Sequence, residues 1–233
     1  MLRIAHEWKE ISRVPKICLL AGERNRDFVL TRRNELLYLA VCPQPLYDLA
    51  VLVLETGLRI GEALSLDWPD VSLEPLPGAR FGYLRIRSGK SKKARRNMPL
   101  TDRAASMLRA RQNGTALVFP NDDGHPYLVT SIDHLHAKAR KALKLPKDFV
   151  VHSLRHTMLT RLGESGVDAF TIMRIAGHSS ITVSQRYVHP SPEAVERAFE
   201  RLQLSGARAE VEPRVLPPAT VSATVGEAAS VTD

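Results

Sequence analysis

Six side chains able to hold or attack a phosphodiester recur in five short segments of this chain. They are Arg59 in GLRIGE, Lys90 in RSGKSKKARR, His152 and Arg155 in HSLRH, His178 in AGHSS and Tyr187 in SQRYVHP. Two arginines, a lysine and two histidines can neutralise and polarise a phosphate, and a tyrosine can attack it. No carboxylate cluster suited to a metal accompanies them in the sequence. The chemistry to expect is metal-free phosphoryl transfer through a covalent tyrosine intermediate, with no cofactor.

The spacing adds to the residue types. Arg59 stands two residues after Gly57 and opens a helix, where the helix N-terminus adds positive potential for an anion. Glu62 lies one turn on, at i+3, and can hold Arg59 in place. His152 and Arg155, also at i and i+3, share a helical face and can meet one phosphate. His156 either shares that face or packs inside. His178 stands just after a helix-ending Gly177, and Tyr187 is nine residues further on. A tyrosine of ordinary pKa, about 10, is only about 0.1% phenolate at neutral pH, so it needs cationic neighbours or a base. Tyr38, Tyr47, Tyr83 and Tyr127 have no such basic surroundings. Each motif alone has a plainer reading: a surface Arg/Glu pair, a capping histidine, a half-buried core tyrosine.

Helices must position most of these groups. Thr31 can cap a helix through RRNELLYLAV, which Pro43 stops. A second helix covers 45–56 and ends at Gly57. A third starts near Arg59 and runs to Trp68. Residues 80–100 read as two or three short strands around a basic turn at Gly89. Seven basic residues and no acidic one lie between Arg85 and Arg96. A solvated charged turn is the plainer reading of such a run, but its place within the larger set turns Arg85, Arg87, Lys92, Lys93, Arg95 and Arg96 toward DNA contact. Helices follow over 101–112, with Thr101 as cap, and over 131–143. HSLRHTMLTRLGES forms a helix ended by Gly166, AFTIMRIAG one ended by Gly177, and SITVSQRYVH a short one capped by Ser179 or Ser180. An amphipathic helix over 191–204 has Ser191 as N-cap and Pro192 at N1. The reading is mainly α with a small antiparallel β-sheet, an α+β fold.

Composition bounds the partners. The 233 residues can bury a substantial core, and the hydrophobic share of 44% is ordinary for a globular protein. A net charge of +8 favours a polyanion, nucleic acid first and an acidic membrane surface second; with the residues above, double-stranded DNA is the partner expected. Cys18 and Cys42 form no CxxC or Cys/His cluster. The N-terminus lacks an apolar signal core. LAVLVL at 49–54 is too short to span a bilayer. No membrane or small-molecule substrate is expected, and the expected location is cytoplasmic.

Taken together, GLRxGE, a basic strand-turn-strand ending in PL, HxLRHT, GH and the tyrosine resemble the tyrosine recombinases, the phage integrase family. The resemblance runs over 31–204, read as the catalytic domain, with 1–30 a linker remnant and 205–233 a disordered tail. It implies site-specific DNA recombination, integration or excision, without ATP or metal. It implies that Arg59 and Arg155 bind the non-bridging phosphate oxygens and that Lys90 protonates the departing 5′ oxygen. His152 would act as general acid or base, His178 would hydrogen-bond the phosphate, and Glu62 would support. Tyr187 would form a 3′-phosphotyrosyl link. Lys92 is an alternative to Lys90, because the stretch up to Pro99 is one residue longer than the commonest pattern. Family members also carry a helical DNA-binding domain ahead of the catalytic one, whereas this chain reads as the catalytic domain alone. The family works as a homo-oligomer on DNA, with a C-terminal segment docked on a neighbouring protomer. A type IB topoisomerase shares the tyrosine chemistry, and a non-catalytic DNA-binding remnant is the other alternative. A metal-dependent nuclease lacks its ligands here.

Overall fold

The segment LYDLAVLVLET is apolar on nearly every face, and it forms the buried axis of the molecule: Leu49, Ala50 and Leu52 have no solvent exposure. The computed structural model describes residues 2–14, 28–87, 95–112 and 114–188, together with 192, 195, 196, 199 and 200. The helices are α1 (Leu2–Glu7), α2 (Arg32–Val41), α3 (Leu46–Thr56), α4 (Ile60–Leu64), α5 (Asp102–Arg111), α6 (Val129–Ala142), α7 (His152–Glu164), α8 (Ala169–Ala176) and α9 (Ile181–Gln185). The strands are β1 (Val71–Ser72), β2 (Tyr83–Ile86) and β3 (Arg96–Pro99). No helix among the described residues is long and apolar enough to cross a membrane.

Met1–His189 form one compact unit and Pro190–Asp233 a second. Of the expected final helix over 191–204, residues 192, 195, 196, 199 and 200 are helical, and the rest lies outside the described residues. The expected tail at 205–233 and the basic turn with Lys90, Lys92 and Lys93 also lie outside them.

Local chemistry sets the boundaries. Thr31 accepts from the Asn34 N–H and Thr101 from the Ala104 N–H, so α2 and α5 begin at their expected caps. Gly57 ends α3 at φ +67°, a left-handed conformation that favours glycine. Two expectations need correction. The helix opened by Arg59 stops at Leu64 rather than Trp68. Pro69 has no N–H to continue it, and Trp68–Asp70 form a 3-10 turn instead. Helix α1 stands within the 1–30 stretch read as a linker remnant.

The sheet runs β1-β2-β3, antiparallel throughout. Leu84 pairs with Met98 and Ile86 with Arg96, and all four side chains face inward. That register corrects one site residue. Arg96 was expected on a DNA-facing surface, but its side chain is only 4% exposed. It shares a face with Met98 and Leu100, because side chains two apart on a strand point the same way. Arg85, Arg87 and Arg95 do face solvent.

The main core joins α3 to the helices and sheet around it. A satellite cluster of Leu159, Ile172, Ala176 and Tyr187 is built from α7, α8 and the residues just past α9. The tyrosine singled out for chemistry therefore belongs to a packed cluster, not to a free loop.

Candidate active site

The last carbonyls of an α-helix have no partner within the helix, and they carry the negative end of its dipole. At the end of α8 three such carbonyls follow one another, and each takes an arginine. Arg96 Nε donates to Ile175 O at 2.7 Å. Arg155 Nη2 donates to Ala176 O at 2.7 Å. Arg59 Nη2 donates to Gly177 O at 3.1 Å. Side chains from β3, α7 and the start of α4 thus meet at one point because a helix ends there.

Glu62 organises two of them. Its Oε2 accepts from the Arg59 backbone N–H at 3.0 Å and from Arg96 Nη2 at 2.8 Å. Its Oε1 accepts from Arg59 Nη1 at 2.9 Å and from Arg96 Nη1 at 3.2 Å. Burial would raise the Glu62 pKa, but Arg96 and the Arg59 backbone N–H outweigh it, so the carboxyl is held below its ordinary value. Arg155 is 2% exposed and also donates through Nη1 to Gly57 O at 2.5 Å. Burial and the nearby Arg59 lower its pKa to about 10, which leaves it charged at neutral pH. Three guanidiniums around one carboxylate leave a surplus of positive charge. Arg59 keeps 40% of its side chain exposed, so an anion can reach that surplus.

The histidines close the site. His178 Nε2 lies 3.1 Å from Arg155 Nη2, and its Nδ1 lies 2.8 Å from Ser184 Oγ. Burial, then the charges of Arg155, Arg59 and Arg96, push His178 down to about 4. His152 opens α7 and presents an edge to solvent. The surrounding protein still costs its charged form hydration, and Arg155, His156 and Arg59 push the same way, so its pKa is lowered. Tyr187, 7% exposed, stacks on His178 with ring centroids 6.2 Å apart and leans on His156 at 5.2 Å. Its main chain presses on α7 at Gly163, where a Cβ would fall on the Tyr187 carbonyl. Arg59, Glu62, His152, Arg155, His178 and Tyr187 therefore share one locality.

Residues 33–194 match the model of the phage integrase family. The chain belongs to that family. Tyrosine recombinase XerD of Corynebacterium glutamicum is 32% identical over 168 residues, 67% of this chain and 53% of that protein. The integrase of Escherichia phage P2 is 28% identical over 189 residues, 80% of this chain and 50% of that protein. Tyrosine recombinase XerC of Pediococcus pentosaceus is 26% identical over 175 residues, 72% of this chain and 58% of that protein. The chain thus spans about half the length of these curated relatives. Among solved structures, the Tn1549 transposon integrase bound to circular intermediate DNA shares the fold. Its TM-score is 0.63 at 23% identity, over 78% of this chain and 69% of that one. A lambda integrase dimer on a core site superposes at TM-score 0.60 and 20% identity, over 80% of this chain and 55% of that one.

Three further residues packed into this candidate site were not singled out for it from the sequence. Arg96 was placed on the surface because it ends a basic run; its period-2 alternation with Met98 and Leu100 was the available signal. Ser184 carried no signal beyond its place three residues before Tyr187. Gly163 reads as an ordinary helix glycine until Tyr187 is seen against it.

Proposed function

We propose that this chain is the catalytic domain of a site-specific DNA recombinase that cuts and rejoins DNA through Tyr187. The observation that carries it is the gathering of Arg59, Arg155 and His178 at the end of α8, with Tyr187 stacked on that histidine. In this reading Arg59 and Arg155 hold the non-bridging oxygens of the scissile phosphate, and Glu62 holds Arg59. The Tyr187 oxygen attacks phosphorus and loses its proton, while the bond from phosphorus to the 5′ oxygen breaks. Lys90, with Lys92 as the alternative, gives the 5′ oxygen a proton. His152 serves as acid or base. Attack by a 5′ hydroxyl on the 3′-phosphotyrosyl link reverses the step, so no high-energy cofactor is consumed. Arg85, Arg87 and Arg95 line the outer face of the hairpin toward the DNA backbone. Residues 31–204 form the catalytic domain, which works in the cytoplasm as a homo-oligomer on DNA.

The test is a nicked duplex library in which the strand released by cleavage diffuses away. Wild-type protein should give a protein–DNA adduct on a denaturing gel. Tyr187→Phe should bind DNA equally and give none. An adduct that survives Tyr187→Phe excludes this tyrosine as the nucleophile. Binding of both proteins should weaken steeply with salt, because the expected contacts are mainly to phosphates.

A further inference from the structure

A guanidinium N–H can only donate. Arg155 Nη2 lies 3.1 Å from His178 Nε2, so Nε2 is the acceptor and the imidazole is neutral, with its proton on Nδ1. That proton points to Ser184 Oγ at 2.8 Å, a hydroxyl with no solvent exposure. Burial and the charges of Arg155, Arg59, Arg96 and His152 around the ring all favour the neutral form.

A phosphate in the site reverses the demand on this ring. Its oxygens are acceptors, so Arg155 turns its N–H to phosphate, and His178 can bind it only as an Nε2–H donor. A second proton on the ring would add charge among three arginines. The remaining route is a change of tautomer: the Nδ1 proton leaves to water, one arrives at Nε2, and the net charge is unchanged. Nδ1 then needs a donor where it had an acceptor. A hydroxyl meets both needs, since it accepts or donates by rotating about its C–O bond.

We propose that Ser184 is a positioning residue that lets His178 change tautomer when a phosphate enters, from acceptor of Arg155 to donor to the phosphate. The proposal rests on the phosphoryl-transfer reading of the site. The same residue also positions the nucleophile, since the Ser184 carbonyl accepts the Tyr187 N–H at 3.0 Å. One residue thus touches the phosphate-facing histidine with its side chain and the tyrosine with its backbone.

The test is nitrogen NMR of the full chain with 15N-labelled histidine and arginine, titrated with inorganic phosphate. Ring nitrogens with and without a proton differ widely in shift, so the tautomer is read directly. Wild-type His178 should show Nδ1–H alone and Nε2–H at saturation. Ser184→Thr should switch likewise. Ser184→Ala should not complete the switch, and its phosphate affinity should fall about fivefold, the worth of one hydrogen bond. Nε2–H before phosphate is added, or a complete switch in Ser184→Ala, overturns the proposal. The first of these is read on wild-type protein and needs no folded variant. If His152 and Arg155 respond to phosphate while His178 keeps Nδ1–H, the switch is wrong and the phosphate site stands. If none of the three responds, the phosphate site is wrong and the switch falls with it.

Discussion

Arg96 binds with all three guanidinium nitrogens, to one backbone carbonyl and both oxygens of Glu62. A planar fork does this and an ammonium does not. Arg96→Lys is therefore expected to fail at the site despite keeping the charge, leaving Glu62 and Ile175 O partly unpaired. Arg96→Ala breaks a buried ion pair outright and should cost about 3–5 kcal/mol of stability. Urea unfolding checks the second. For the first, adduct formation should drop at least tenfold in Arg96→Lys while DNA affinity changes little. Equal adduct rates in Arg96→Lys and wild type would show that the fork is dispensable. This residue also marks the limit of reading charge without register. A run of seven cations between Arg85 and Arg96 reads as a solvated surface, and for Arg85, Arg87 and Arg95 exposure holds. Only the alternation of β3 turns Arg96 inward. Arg59, Glu62, His152 and Arg155 were legible because helical spacing alone brings each pair together.

Among elements, α9 has only five residues, as short as α4, and its hold on Tyr187 comes largely from packing. Gly163 on α7 makes the contact possible. Gly163→Ala leaves the α7 backbone content while pushing Tyr187 away, at an overpacking cost of about 1–3 kcal/mol. The expected result is a folded protein that binds DNA and forms adduct far more slowly. Circular dichroism with an adduct assay separates this from general unfolding, and an unchanged adduct rate would show that the tyrosine does not depend on this contact. The cap-bounded helices α2, α5 and α8 were readable from Thr31, Thr101 and Gly177, since capping is local chemistry. Strand β1 was not: two residues are too few to show alternation, and its pairing with β2 comes from tertiary contact. The start of α9 was narrowed from two serines to Ser180, which accepts from the Thr182 N–H.

At the scale of the whole molecule, buried charge makes folding pH-dependent in two windows. Glu35, 3% exposed, accepts from Arg103 and Arg161 and so joins α2 to α5 and α7. Burial raises its pKa, but Arg103 and Arg161 outweigh that, and it is lowered, as for Glu62. A lowered carboxyl stabilises the fold above its unfolded value near 4.5, and the gain is lost as pH falls through the folded value. His178 acts earlier on the same descent. Its pKa falls from 6.5 unfolded to about 4 folded, so the unfolded chain takes up the extra proton first. Stability should therefore decline from about pH 6.5 toward 4, then again as the carboxyls titrate. Urea midpoints across pH test this. His178→Gln should shrink the upper window, to which the lowered His152 and His136 also contribute, and leave the lower one. A lower window that vanishes with it would mean that the carboxyls are not held by their arginines.

The end of α8 has a consequence for how this domain can vary in length. Three guanidiniums from distant parts of the chain are registered on Ile175, Ala176 and Gly177. One residue added within α8 would turn that terminus by about 100° and slide it about 1.5 Å, so all three would lose their seats in a single event. The same residue added in the turn before Asp168, at 165–167, would leave the terminus where it is, because packing of Ile172 and Ala176 fixes the helix. Paired insertions at the two places should thus behave oppositely, one inactive and one tolerated. For a site assembled from scattered residues, the length of one eight-residue helix is then the gauge to which the other parts are set.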